Sequence, residues 1–287
     1  MVAFGLLFPV LQALTGQPVF SFPCLMTACA LALLCGISWL DDLYQWPPAI
    51  KLAAQVLAAG LVVGGGTAVV WPTPLAGAAL SALWLVVVCN MVNFMDGLNG
   101  LIAGCMACAA VTLALVAPFF GIAGLQWPAL LLGACLVGFL PFNFPHARIF
   151  LGDVGSQGCG LLAGTTALYI ASHTTQPRGW ILGPALLFPL FYDVVFTLIR
   201  RRYARQTLMQ AHRGHLYQIL HRNAVPTPVI SMLEWEGTLW GGAVACLIAP
   251  TSGFWPGMAG AALLMLPQLV WTTWCVLRTR KYPVGPW

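Results

Sequence analysis

The sequence predicts an all-α fold, a polytopic membrane bundle of about ten transmembrane helices that forms one domain over residues 1–287. Three observations carry that expectation. The chain is 60% hydrophobic and only 7% charged, against roughly 25% charged in soluble domains. Its apolar runs reach about 17–25 residues, enough to cross a hydrocarbon core roughly 30 Å thick. Its basic residues also fall almost entirely on one side once those runs are laid out as alternating crossings.

The runs cover about 2–15, 23–40, 49–66, 75–92, 98–117, 122–141, 155–171, 180–199, 232–249 and 254–275. No basic segment precedes the first run, so it does not read as a cleavable leader. Short links rich in Pro, Gly and Thr, such as Thr15-Gly16-Gln17-Pro18 and Trp71-Pro72-Thr73-Pro74, separate most runs. The loop 200–231 is the exception, being long and basic. With it in the cytoplasm, Lys51, Arg148, Arg200, Arg201, Arg202, Arg205, Arg213, Arg222, Arg278, Arg280 and Lys281 lie inside, and Arg178 alone lies outside. Both termini are then cytoplasmic. The net charge of +5 therefore reports topology, and the basic, aromatic-bearing soluble face that nucleic acid requires is missing. The ten cysteines scatter through apolar runs. Cys105-Met-Ala-Cys108 has metal-like spacing but no His or acid beside it, and reads as small packing residues.

Acids are scarce, and they obey the same geometry. Asp41, Asp42, Asp96, Asp153, Glu234 and Glu236 fall at cytoplasmic run ends. Asp193 lies about two turns deeper, where an ionisable group is costly unless paired or functional. An ion pair with Arg200 and a functional role both stand open for it.

Four polar islands follow. Asp41-Asp42 are adjacent carboxylates at a helix C-terminus, where they oppose the macrodipole. Their mutual repulsion suits a hard cation such as Mg²⁺, with Mn²⁺ an alternative, and Lys51 nearby offers a point charge to a phosphate. Asn90, Asn93 and Asp96 recur every third residue on one helical face, with Asn99 just beyond. A polar interhelical seam would account for fewer of them. The stretch from Asn143 to Gly160 places Asp153 at the N-terminus of the next run, where backbone N–H groups favour anions. Phe150 there is either a core aromatic or a platform for a base. Finally, His212, Arg213 and His215 lie in the basic loop; a helical turn would put both imidazoles on one side, suited to a diphosphate, while a lipid-headgroup contact is the alternative. Together the islands point to cation-assisted phosphoryl transfer between a soluble phosphate donor and a lipid phosphate, because that chemistry needs positioning and charge neutralisation.

Four ordered motifs, Asp41-Asp42 with Lys51 and Gln55, Asn93-Phe-Met-Asp96-Gly97, Asn143-x-Pro145 through Gly152-Asp153-x-Gly155-Ser156, and His212-Arg213-x-His215-x-x-Gln218, resemble the polyprenyl-phosphate N-acetylhexosamine-1-phosphate transferases of the MraY/WecA superfamily. The resemblance covers about residues 23–222. The His-Arg-x-His form is similar to the branch that starts O-antigen, enterobacterial common antigen or teichoic acid synthesis. That resemblance implies Mg²⁺-dependent transfer of a sugar 1-phosphate from a UDP-N-acetylhexosamine to undecaprenyl phosphate. The reaction would take place on the cytoplasmic face of the bacterial inner membrane, by a chain that is compatible with a homodimer. It implies that Asp153 binds the metal with Asp96 beside it, and that Asp41 and Asp42 serve the carrier phosphate. Lys51, Asn93, Asp96, Asn99 and Phe150 would line the substrate sites, and His212, Arg213 and His215 would hold the donor diphosphate. Two departures stand out: Asn99 replaces an acid, and His146 a second proline. The chain is also expected to lack the family's first span and a Pro-x-x-Gly-Gly loop, so that an inactive truncated member is one alternative. A transporter or flippase is another, opposed by the gathering of charges at one face.

Overall fold

The computed structural model describes residues 2–14, 21–207 and 213–283. Its helices are α1 (Val2–Leu14), α2 (Phe22–Tyr44), α3 (Pro48–Gly64), α4 (Pro74–Met95), α5 (Leu101–Val116), α6 (Gln126–Asn143), α7 (Gly152–His173), α8 (Leu182–Leu186), α9 (Phe188–Tyr203), α10 (Leu216–Arg222), α11 (Thr227–Ile248) and α12 (Phe254–Lys281). No strand occurs among the described residues, so the all-α membrane bundle stands. Proline opens α2, α3, α4, α9 and α11, at positions whose N–H has no helical partner to lose. Ser21 and Thr73 add side-chain caps, accepting from the Cys24 and Ala76 amides at 3.4 and 3.2 Å.

Each of the ten expected runs contains a helix, yet the count of ten crossings is not supported. Four helices are long and apolar enough, Phe22–Tyr44, Pro74–Met95, Ala123–Asn143 and Phe254–Lys281, and a fifth if the bent pair Gly179–Leu186 and Phe188–Tyr203 is one span. The reason is physical. Helices α1 and α5 have 13 and 16 residues, short of the roughly 17 at which a crossing begins, and α3 with 17 stands at that limit. Helices α7 and α11 have 22 residues each but carry Ser, Thr and glycine, with buried Gln157 and Glu234. Such helices need other helices around them.

Helix α7 is placed accordingly. Its residues from Gly155 to Leu161 are buried without a break, and it packs against α2 and α4. Gly160 permits the closest approach: a Cβ there would stand 2.7 Å from Cys89 Cα of α4. Helix α5 packs on α6 and α11 through small residues. Cys105 is buried there and both Cys105 and Cys108 are free thiols, as a packing role requires.

The bent pair turns by 63° between Gly179–Leu186 and α9. Pro189 lacks the N–H that would bond the Ala185 carbonyl one turn back. Helix α11 approaches that same carbonyl through Gly241, where a Cβ would lie 1.9 Å from the oxygen. The bend aims α9, with Asp193 on it, at the segment around α10.

Candidate active site

Helix α2 ends with Gln45 in the left-handed conformation, φ 50°, its amide bonded to the Asp41 carbonyl at 2.7 Å. The reversal lets the Trp46 amide donate to Asp41 Oδ1 at 2.8 Å. It also brings α3 back alongside, with Lys51 in its first turn. Lys51 Nζ then reaches two carboxylates, Asp41 Oδ2 at 2.5 Å and Asp153 Oδ2 at 2.6 Å. The ammonium thus offsets the unfavourable position of Asp41 at a helix C-terminus.

Asp153 enters from the other side, in the first turn of α7. Gly152 precedes it with φ +64°, and the position where a Cβ would stand is 3.9 Å from Asp42 Oδ2. The positive φ favours glycine, while the 3.9 Å separation is an ordinary contact that would admit a Cβ. Asn93 of α4 donates to Asp153 Oδ1 at 2.9 Å and to Ser156 Oγ at 3.0 Å. Oxygens of Asp41, Asp42 and Asp153 lie within 4.8 Å of one another. Asp41 is buried, Asp153 half-buried and Asp42 exposed. Three carboxylates converging at that spacing form a hard-oxygen donor set that fits Mg²⁺ or Mn²⁺, and the Lys51 ammonium already places a positive charge between two of them.

Behind these acids lies an amide ladder. Gln55 Nε2 donates to Gln157 Oε1 at 3.1 Å and to Asn90 Oδ1 at 3.3 Å, while Asn90 Nδ2 donates to Gln55 Oε1 at 2.6 Å. It ties α3, α4 and α7 together just inside the acid cluster. Gln157 is a residue that motif reading passes over; its place four residues after Asp153, on the same helical face, was the available signal.

Asp96 follows α4 and lies outside the three-carboxylate group. Burial, and then the negative charge of Asp153, push its carboxyl up to about 7, so near neutrality it can donate as well as accept. Asn99 works through the loops: its amide donates to the Pro145 carbonyl at 3.2 Å, and its own carbonyl accepts from Ser231 at 2.9 Å. Asn143 clamps both loops, accepting from the Gly100 amide at 2.8 Å and donating to the Ile149 carbonyl at 2.9 Å. Phe150 is 74% exposed, so it is not a core aromatic.

In the fourth island, the expected turn carrying two imidazoles falls partly outside the described residues. His212 lies outside the described residues. Arg213 is exposed. His215 is buried and sits at the N-cap of α10, with Nδ1 3.1 Å from Asp193 Oδ1. Asp193 engages His215, and Arg200, which lies within reach of the Asp193 charge, donates to the Gly214 carbonyl at 2.7 Å. Tyr217 ties α10 to the second island: its hydroxyl donates to the Phe94 carbonyl at 3.1 Å. Gly97 leaves room for it, since a Cβ there would stand 2.3 Å from that hydroxyl. Burial holds the Tyr217 hydroxyl neutral by raising it further above its ordinary range.

Helices and loops far apart in the chain thus converge on one polar site at one end of an apolar bundle, as in a membrane-embedded transferase. Comparison with known proteins agrees. Residues 24–171 match the model of glycosyl transferase family 4. The decaprenyl-phosphate N-acetylglucosaminephosphotransferase of Mycobacterium leprae is 32% identical over 288 residues, covering 88% of this chain and 71% of that protein. The probable undecaprenyl-phosphate N-acetylglucosaminyl 1-phosphate transferase of Bacillus subtilis is 28% identical over 191 residues, 63% of this chain and 53% of its own. The phospho-N-acetylmuramoyl-pentapeptide-transferase of Moorella thermoacetica is 34% identical over 143 residues, covering 50% and 44%. The chain belongs to glycosyl transferase family 4 and is a membrane transferase of that family.

Proposed function

We propose that this chain transfers a sugar 1-phosphate of the N-acetylhexosamine type from a UDP-sugar to undecaprenyl phosphate at the cytoplasmic membrane face, releasing UMP. The observation that carries the reading is the convergence of Asp41, Asp42 and Asp153 within 4.8 Å around the Lys51 ammonium. Relatives whose names specify polyprenyl phosphate and N-acetylglucosamine phosphate support the substrate class.

In the reaction an oxygen of the carrier phosphate forms a bond to the sugar-linked phosphorus, and the bond from that phosphorus to the bridging oxygen breaks, so UMP leaves with it. Asp42, the exposed carboxylate, takes any proton carried by the attacking phosphate. Lys51 offers its charge to the carrier phosphate. Asp153, with Asp41 and Asp42 and with Asp96 beside them, would hold Mg²⁺ or Mn²⁺, which supplies charge neutralisation for the diphosphate. Asn93, Asp96 and Asn99 line the nucleotide side, and Phe150 stacks on the uracil. His212, Arg213 and His215 hold the donor diphosphate. The product would initiate a cell-envelope polysaccharide such as O-antigen.

Membranes carrying the protein are expected to release UMP from UDP-N-acetylglucosamine only when undecaprenyl phosphate is added, and to stop when EDTA removes divalent cations. Inserted protein that forms no lipid-linked sugar from any UDP-N-acetylhexosamine would reject the reading. Orientation is tested separately. On the layout of ten alternating runs, which puts eleven of twelve basic residues inside, a cysteine at Ser172 should react with an impermeant reagent in intact cells and one at Gln206 should not. The reverse labelling would put the site on the wrong face for a cytoplasmic nucleotide.

A further inference from the structure

Lys51 and Gln55 lie one turn apart on α3, and Asp153 and Gln157 lie one turn apart on α7. Two hydrogen bonds join these helices directly among the described residues. At the outer level Lys51 Nζ donates to Asp153 Oδ2 at 2.6 Å, and one turn deeper Gln55 Nε2 donates to Gln157 Oε1 at 3.1 Å. The equal spacing makes the two bonds compatible in a single register. A slide of one turn would set Asp153 opposite Gln55 and take it away from Lys51. Helix α4 serves both levels. Asn93 donates to Asp153 Oδ1 at 2.9 Å, and one turn deeper Asn90 exchanges two amide bonds with Gln55, at 2.6 and 3.3 Å.

The two partners of the outer bond are not held alike. Helix α7 is seated on α4 by the close approach at Gly160 and by the Asn93 bond, so Asp153 keeps its place without help from α3. Lys51 carries its charge on a flexible four-carbon stem and its side chain is 30% exposed. Its placement depends on where α3 stands. Gln55 and Gln157 are 3% and 1% exposed, so water does not compete for the bond between them, and that bond fixes α3 against α7 more firmly than the half-exposed pair outside it can.

We infer that Gln157 is a positioning residue for Lys51: from α7 it holds Gln55, and so sets α3 at the one register that delivers the Lys51 ammonium between Asp41 and Asp153. This rests on the reading of Lys51 and the three acids as the reaction site given above.

The test uses the whole chain in detergent, with Mn²⁺ alone as the binding probe, followed by electron paramagnetic resonance, and UMP release as the activity. Gln157→Met keeps an unbranched side chain of similar length and removes the amide. Gln55 Nε2 retains Asn90 Oδ1 as an acceptor, so no donor is stranded. The variant should lose about tenfold in kcat. It should also bind Mn²⁺ about three- to fivefold more tightly, because a loosened Lys51 competes less for the carboxylate oxygens. Lys51→Met should shift Mn²⁺ affinity further in the same direction. In the Lys51→Met background, adding Gln157→Met should change neither Mn²⁺ affinity nor the residual rate by more than about twofold, because both changes act through one ammonium. A purely structural seam makes a different forecast: a lower Tm or less folded protein, with Mn²⁺ affinity and kcat unchanged per folded molecule. That result would overturn the inference and leave the transferase reading in place. Weaker Mn²⁺ binding, or effects that add in full to those of Lys51→Met, would overturn it equally, since Gln157 would then act on something other than Lys51. If Gln157→Met does not accumulate, Gln157→Asn, whose amide stops one carbon short of Gln55, decides by the same measurements. Failure of both to yield folded protein would make the amide a folding element and overturn the inference. A parent protein that neither binds Mn²⁺ nor releases UMP would overturn the reading of the site and this inference with it.

Discussion

Asp153→Asn is expected to lower sugar-phosphate transfer by about 100- to 1,000-fold, a loss of roughly 3–4 kcal/mol of transition-state stabilisation, while the bundle still inserts and folds. The side chain keeps its size and its place in the first turn of α7, where Asn serves a helix N-terminus about as well as Asp. Its carbonyl can still accept from Asn93, which now bonds Oδ1 at 2.9 Å. What disappears is one of three negative charges whose oxygens lie within 4.8 Å of one another, together with the ion pair to Lys51 at 2.6 Å. Binding a cation depends on that charge, and so does holding Lys51 between two acids. Extra Mg²⁺ should rescue only weakly, because a coordinating group is lost and not merely undersaturated. The opposing view makes Asp153 a helix-end residue whose charge is worth about 0.3–1 kcal/mol to the macrodipole. A variant that inserts normally and retains more than about a tenth of the parent rate, a loss under 1.4 kcal/mol, would support that view and remove Asp153 from the chemistry.

Asp153 was legible in the sequence for a simple reason. In a chain with seven acids among 287 residues, each carboxylate is costly in a membrane setting, so each one marks a place. The same scarcity exposed Asp41, Asp42, Asp96 and Asp193. Local signals also sufficed for the helix starts, since proline and glycine act within a few residues of themselves. The partners were harder to read. Lys51 and Asp153 are 102 residues apart, and nothing in the spacing says that one ammonium serves both Asp41 and Asp153. Asp193 carries two readings by sequence because an arginine seven positions on is always at hand. The structure selects His215 and the α10 amides through the bend at Pro189, a tertiary effect. Gln157 looked like one more residue in a glycine-rich stretch until α3 and α4 supplied Gln55 and Asn90. Length and apolarity mark four or five of the ten expected runs as spans, because an apolar run records burial as well as lipid contact, and α5 is buried by other helices.

Lys51→Met should have the second large effect, and it separates two roles of one side chain. Methionine keeps much of the apolar stem but removes the charge. Asp41, Asp42 and Asp153 are then left facing one another without a counter-charge. Two unit charges about 5 Å apart repel by roughly 3 kcal/mol at an effective dielectric near 20. Lys51 and Asp153 are 30% and 27% exposed and Asp42 is exposed, so water and salt absorb much of that. A stability loss of about 1–3 kcal/mol follows, which for a chain of this size corresponds to a fall in Tm of several degrees. Transfer should fall about 100-fold, because the carrier phosphate loses its cationic contact. The sharper consequence concerns cations. In the parent, Lys51 already bridges two of the carboxylates; in Lys51→Met a divalent ion is the remaining source of positive charge. Added Mg²⁺ should therefore raise the Tm of Lys51→Met more than that of the parent, without restoring turnover. Thermal unfolding in detergent, with EDTA and across a Mg²⁺ titration, reads both effects. Equal Tm values without metal, or a Mg²⁺ response no larger than the parent's, would show that Lys51 does not neutralise these acids, and the cluster would then need another explanation for holding three carboxylates so close.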